Sequence, residues 1–233
     1  MTIEEKAIQF IKKNKKLLID TFANSANYEC SAKPVTIFMA GAPGVGKTEF
    51  SKSFGEVLFK RSAESRYVRI DADEIREIIP MYNGKNSHKV HAAACIGVDK
   101  LFDYIQKKKL DAILDGTFAD YRISERNIQR TLNRNREAII MYLYQDPFIA
   151  WEFTQKRAKI ERRTVPKEVF VNAFFKSKEN VNKIKEKFGE KINLNLAIKD
   201  FQNRTEKTEF NINNVDGYLK IKYTMGSLNK LLK

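Results

Sequence analysis

Cysteine and histidine are nearly missing from this chain, and each shortage closes off a class of chemistry. The two cysteines, Cys30 and Cys95, lie far apart in no pairing pattern, so the chain reads as one that lives reduced and owes nothing to a disulfide framework. His88 and His91 sit three apart on an expected helix with no third ligand nearby, which argues against zinc and for a plain helix surface. No apolar run approaches the roughly 20 residues of a membrane span. The N-terminal MTIEEKAIQFIKKNKKLL interleaves charges where a signal peptide needs an apolar stretch, so a cytoplasmic location and no membrane partner are expected. Internal repeats and low-complexity linkers are missing too.

What is present is core material and positive charge. Hydrophobic residues make up 42% of the 233, enough for a packed interior, which sets aside a disordered or fibrous chain. The formal charge of +14 predicts a field that favours anionic ligands: nucleotides, sugar nucleotides, nucleic acids or acidic proteins. Much of it falls in IKKNKK, QKKKLD and NKIKEKFGEK, runs that read as solvated helix faces, so charge by itself does not choose among these ligands.

Periodicity alternates between two and 3.6 along most of the chain. Thr2-Ile3-Glu4-Glu5 has capping-box form, and Ile3, Ala7, Ile11, Leu18 and Phe22 then predict one helix up to a polar break. VTIFMA (35–40) is a short buried strand, and KTEFSKSFGEVLFKRS is a helix after it. YVRID, LDAILD and EAIIMYLYQ are further strands. ADEIREII stops at Pro80, SHKVHAAACIGVDKLFDYIQKKK is a helix that Ser87 is placed to cap, and SERNIQRTLNR and 147–163 are helices. Pro166 opens another helix and Gly189 closes it. Trp151, Phe153, Phe170, Phe174 and Phe175 read as core. NLNLAIKDF, TEKTEFNI and GYLKIKYT predict short strands before a small terminal helix. The expected fold is α/β, a parallel sheet flanked by helices with a strand-rich C-terminal extension. The expected divisions are 1–34, 35–190 and 191–233.

Between the first strand and its helix stands Gly41-Ala42-Pro43-Gly44-Val45-Gly46-Lys47-Thr48, a phosphate-loop (P-loop) pattern in the strand, loop, helix context it requires. Glycines let backbone N–H groups turn toward phosphate oxygens, and the helix end adds its positive dipole. Lys47 would reach the terminal phosphates of ATP, and Thr48 would ligate Mg2+.

Three further constellations follow. RIDADEIREIIPMY places Asp71 and Asp73 at the end of a predicted strand, the edge where open α/β sheets bind ligands. A phosphotransferase needs a carboxylate there to take or orient the acceptor proton, although one of the pair also suits a helix cap, a role that falls to Asp71 or is shared. AILDGTF brings Asp115 and Thr117 to the end of a buried strand, where Asp115 reads as metal-associated, substrate-binding or part of a plain turn. QKRAKIERRTVP carries Arg157, Arg162 and Arg163, suited equally to the charge of a transferring phosphoryl group and to a helix dipole.

In this order and spacing, GAPGVGKT, DADEIREIIPMY, DGT and RTVPKEVF resemble the zeta toxin family of P-loop kinases, over about Val35 to Gly189. The resemblance implies a fold like that of nucleoside monophosphate kinases. It also implies transfer of the γ-phosphate of ATP to a sugar hydroxyl of UDP-N-acetylglucosamine. By position it makes Lys47 and Thr48 ligands of ATP and Mg2+, Asp73 the general base, Asp99, Asp115 and Thr117 substrate contacts, and Arg157 and Arg163 the arginines that close over the phosphates. The chain departs from the family pattern at Asp115, where Glu is expected, at Ala119, where Arg is expected, and in the spacing from Pro147 to Arg157, one residue short. Two departures lie on the acceptor side, so a related kinase acting on a dinucleotide, an antibiotic or a nucleic-acid end is the alternative. A nucleotide-binding module without turnover is a third reading, which the intact base and arginines oppose. The family also admits an antitoxin protein as partner.

Overall fold

A computed structural model describes residues 1–24, 26–59, 67–161 and 164–232. Among the described residues six strands form one mostly parallel sheet in the order β2-β3-β1-β4-β5-β6, with ranges given below. The chain divides into two compact units, Met1–Thr36 with Lys52–Asp115, and Ile37–Ser51 with Gly116–Lys233. Strand β1 (Val35–Ala40) and helix α3 (Lys47–Phe59) run through both. Among the described residues no helix is long and apolar enough to cross a membrane.

The first unit opens with α1 (Ile3–Lys13), whose capping box closes as expected: Glu5 N–H donates to the Thr2 hydroxyl and Thr2 N–H to the Glu5 carboxylate. The expected single helix is two, α1 and α2 (Lys15–Phe22). Asn14 lies between them outside helical geometry, and both its backbone N–H, at 3.0 Å, and its side-chain amide, at 2.9 Å, donate to the Phe10 carbonyl, closing α1 there. Ala7, Ile11 and Leu18 are buried. Strands β2 (Val68–Asp71) and β3 (Ala112–Asp115) pair in parallel with Asp71 opposite Asp115, which brings both carboxylates to one sheet edge. Asp111, just before β3, accepts the Val35 N–H at 2.7 Å in a buried bond and so fixes the start of β1. Short α4 (Ala72–Glu77) follows β2 and packs on α5 (Ser87–Lys107). Ser87 is the first helical residue and not the cap, which is Asn86. Asn86 makes no capping bond because its amide is used in the preceding turn, accepting from Asn83 N–H and donating to the Met81 carbonyl. Ile70, Ile75, Leu101, Phe102 and Ile105 fill this unit's interior, each burial stabilising by about 1.5–3 kcal/mol.

In the second unit β1 runs apolar and buried into the loop at Gly41. Strand β4 (Glu137–Tyr144) pairs in parallel with β5 (Asn193–Lys199). Strand β6 (Thr205–Glu209) adds antiparallel to β5, with an irregularity at Ile198/Lys199. Helices α6 (Tyr121–Leu132), α7 (Pro147–Glu161), α8 (Lys167–Phe188) and α9 (Met225–Leu231) complete it. Asp120 caps α6 through the Ile123 N–H. Phe170, Phe174, Val181 and Ile184 are the inner face of α8, with the Trp151 and Phe170 rings 5.1 Å apart. The strand expected at GYLKIKYT does not form: 216–218 is a 3-10 turn and 219–224 has no ladder partner. Its alternation is real, with Leu219, Ile221 and Tyr223 half-buried between exposed neighbours, but it reflects one-sided burial of an extended segment, as where Tyr223 meets Phe148 edge-on.

Candidate functional site

The P-loop belongs to the second unit. Ala42 and Val45 are buried and anchor the turn, while Gly41, Gly44 and Gly46 take positive φ. Gly41 N–H donates to the Thr117 carbonyl at 3.1 Å, tying the mouth of the loop to the segment after β3. The tightest point is Gly44, where a Cβ would come within 2.0 Å of the Ala150 carbonyl oxygen on α7. Lys47 begins α3, and its ammonium turns back into the loop, donating to the carbonyls of Gly41 at 3.0 Å and Ala42 at 2.7 Å. Half-buried Thr48 stands next on the same turn, and its carbonyl accepts from the Ser51 hydroxyl. This is a cradle shaped for an anion at a helix N-terminus, with a cation and a hydroxyl at its floor. Among the described residues no group of three or more His, Cys, Asp or Glu stands ready for a metal, so a magnesium ion here would be held by phosphates, water and Thr48.

Two parts of this surround were not foreseen. Asn203, in the turn between β5 and β6, lies where a side chain on Gly46 would go, with Nδ2 2.8 Å from that point and Oδ1 buried without a hydrogen-bond partner. Lys199 lies over the Phe50 ring, and burial lowers its pKa. Neither is marked by any local motif, since both come from the far end of the chain. Arg157 is exposed, one turn beyond the Thr154 that faces Gly44. Arg163, like Arg162, lies outside the described residues.

The carboxylates belong to the first unit, and two arginines sort them. Arg69 of β2 binds Asp71 and Glu74 and donates to Asp115 at 3.0 Å. Burial works against its charge, but the three carboxylates outweigh it and raise its pKa. Asp71 is also the cap of α4, its other oxygen accepting the Asp73 N–H at 2.8 Å. Asp73 is bound instead by Arg76, one turn further along α4, and keeps 30% of its side chain exposed. Nη2 of Arg76 lies 3.0 Å from His91 Nδ1, and His91 Nε2 lies 3.6 Å from Cys95 Sγ. His91, Cys95 and half-buried Asp99 follow one another at four-residue spacing on α5. Burial, then the Arg76 charge, holds the His91 imidazole below its usual pKa, and burial pushes the Cys95 thiol up.

Asp71, Asp73, Asp99 and Asp115 thus share one unit, and the loop, Lys47, Thr48, Thr117 and Arg157 share the other. Asp115 is 6% exposed at its side chain and spends its carboxylate on Arg69. Arg69 and Arg76 went unremarked in the sequence although their spacing carried a signal: Arg-x-Asp puts two side chains on one face of a strand, and Asp-x-x-Arg on one face of a helix.

Comparison with known proteins bears on family and fold. The zeta toxin family model matches residues 19–215. No curated protein matches the chain in sequence. Among solved structures, one from the PezAT chromosomal toxin-antitoxin system of Streptococcus pneumoniae is similar in fold, with a TM-score of 0.67 at 16% identity over 95% of this chain and 86% of the other. The native AvrRxo1-ORF1:-ORF2 complex gives 0.60 at 14% identity over 92% and 70%. The same pair solved with ATP gives 0.57 at 13% identity over 89% and 65%.

Proposed function

The chain belongs to the zeta toxin family, and on that premise we propose that it transfers the γ-phosphate of ATP to a hydroxyl of a sugar nucleotide, UDP-N-acetylglucosamine first among them. The observation that carries the reading is the glycine cradle with the Lys47 ammonium turned into it, a site whose chemistry suits the terminal phosphates of a nucleotide. In this reading Lys47 and the loop amides bind those phosphates, and Thr48 holds Mg2+, which supplies charge neutralisation. Asp73 takes the acceptor proton as the acceptor oxygen bonds to the γ-phosphorus. The bond from that phosphorus to the bridging oxygen breaks, and ADP leaves with the electron pair. Arg157 and Arg163 are assigned to the charge spread over the transferring group. Catalysis here is positioning plus charge stabilisation.

Asp73 is preferred over Asp71 as the base for a physical reason. Asp71 already caps α4 and binds Arg69, whereas Asp73 keeps part of its carboxylate in solvent. Engagement of Asp115 by Arg69 and the presence of Ala119 favour a second reading, in which the same donor side serves a different hydroxyl acceptor. The PezAT structure comes from a toxin-antitoxin system, and an acidic antitoxin is the partner that suits a chain of charge +14.

The test is incubation with ATP, Mg2+ and UDP-N-acetylglucosamine, read by mass spectrometry beside Asp73→Asn. A phosphorylated sugar nucleotide is expected from the wild type and none from the variant, which still binds ATP. Transfer by Asp73→Asn at the wild-type rate defeats the base assignment. ATP binding with no product redirects the acceptor to the second reading.

A further inference from the structure

We propose that Arg76, steadied by His91, is a positioning residue that orients the Asp73 carboxylate for proton abstraction; this rests on Asp73 being the base. Asp73 is the second residue of α4, at the head of a short helix where a side chain has rotamers to choose from. Arg76 removes that freedom. It is 6% exposed, its Nη1 donates to Asp73 Oδ1, and its Nε is buried without a partner, so the guanidinium is held by its two terminal nitrogens. The second terminal nitrogen reaches across to α5 and His91.

An arginine has no acceptor, so the contact at 3.0 Å requires Nδ1 of His91 to carry no proton. The imidazole is then neutral with its proton on Nε2, which donates toward Cys95 Sγ. The lowered pKa of His91 accords with that form. Two helices therefore fix one guanidinium, and that guanidinium fixes one carboxylate. Arg69 does the corresponding work for Asp71 and Asp115, which separates a capping carboxylate from a reacting one within the same Asp-Ala-Asp run.

The function of Arg76 is separable from folding by how kcat, KM and rescue respond. Arg76→Gln is expected to lower kcat for UDP-N-acetylglucosamine phosphorylation about 10- to 100-fold, the cost of a misplaced reacting group, with the KM for ATP within about twofold. Lysine has the charge but cannot bridge carboxylate and imidazole in one plane, so Arg76→Lys falls between. His91→Asn keeps an acceptor for Arg76 and retains most of the rate, whereas His91→Leu loses it in part. Guanidinium ion added at millimolar concentration restores rate to Arg76→Ala, which a purely structural defect would not allow. Nitrogen-15 spectra of wild-type His91 give a reading independent of turnover, with an unprotonated Nδ1 at pH 7.5 expected.

A protonated Nδ1 overturns the contact. Wild-type kcat in a folded Arg76→Gln, alongside an inactive Asp73→Asn, overturns the positioning role and leaves the base standing. Wild-type turnover by Asp73→Asn removes the base and this role with it. Should Arg76→Gln not fold, the His91 pair and the spectra decide. Should the wild type make no product from UDP-N-acetylglucosamine, the acceptor assignment falls and the spectra alone uphold or overturn the contact.

Discussion

Gly44 and Gly84 offer a controlled measurement of how tightly the P-loop is built. Both adopt φ of +80°, so replacing either by alanine places a Cβ in the same unfavourable backbone region. Their surroundings differ. Around Gly84 nothing lies within 4 Å of the added carbon, whereas at Gly44 it falls 2.0 Å from the Ala150 carbonyl oxygen and 2.5 Å from Thr154 Oγ1. That carbonyl cannot yield easily, because it already accepts the Thr154 hydroxyl at 2.8 Å within α7. Gly84→Ala should therefore cost only the left-handed conformation, about 1–2 kcal/mol. Gly44→Ala adds the displacement of packed backbone, about 1–3 kcal/mol more, for a sum of about 2–5 kcal/mol. Urea unfolding of the two variants measures the difference, and titration with a fluorescent ATP analogue measures the consequence for the loop. Gly44→Ala is expected to lose nucleotide affinity and Gly84→Ala to keep it. Equal destabilisation by the two, with nucleotide affinity retained in both, would refute the claim that contact with α7 shapes the loop.

Other expectations are more local. Asp111→Ala leaves the buried Val35 N–H without its acceptor and should cost about 1–3 kcal/mol, with Asp111→Asn milder because its carbonyl still accepts; urea midpoints measure both. Burial pushes the Tyr144 hydroxyl up to about 12 and that of Tyr142 higher still. The unfolded chain therefore releases these protons near pH 10 while the folded chain retains them. Their contribution to stability is whole below that pH and is lost as pH rises toward the folded values, by up to about 1.4 kcal/mol per pH unit for the fully buried Tyr142 and by less for half-buried Tyr144, which solvent screens. The denaturation midpoint should fall between pH 9 and 10.5, less so in Tyr144→Phe, and an unchanged midpoint would show that the Tyr142 hydroxyl is not buried.

The α/β alternation was legible because β1, β3, β4 and β5 are short runs rich in apolar residues, and α1, α6 and α8 carry a cap or a stop within the local sequence. Gly189 illustrates this: its position after Phe188 announced the end of α8, where it takes φ of +56°. The misses share the opposite property. Asn14 interrupts the first helix, its backbone N–H and its side-chain amide both donating to the Phe10 carbonyl, a local geometry that apolar spacing does not register. Residues 219–224 alternate like a strand yet pair with nothing, since alternation records which side is buried and not whether a neighbour offers a ladder.

The candidate site divides along the same line. Gly41 to Thr48 could be read directly because a phosphate cradle is made of consecutive residues, and its local spacing is its chemistry. Asn203 could not, because what brings it to Gly46 is the pairing of β5 with β4 and the turn into β6. The two aspartates are the instructive case. Asp71 and Asp73 have the same side chain and stand two residues apart, so the sequence alone left the capping and proton-accepting roles open between them. What separates them is charge placed by two different periodicities. Arg69 meets Asp71 because both lie on one face of β2, and Arg76 meets Asp73 because one helical turn joins them. Asp71 caps a helix with one oxygen and binds a buried arginine with the other, so both of its oxygens serve the fold. Asp73, bound by an arginine that also reaches the neighbouring helix, is oriented and still open in part to solvent, which suits the base role proposed for it.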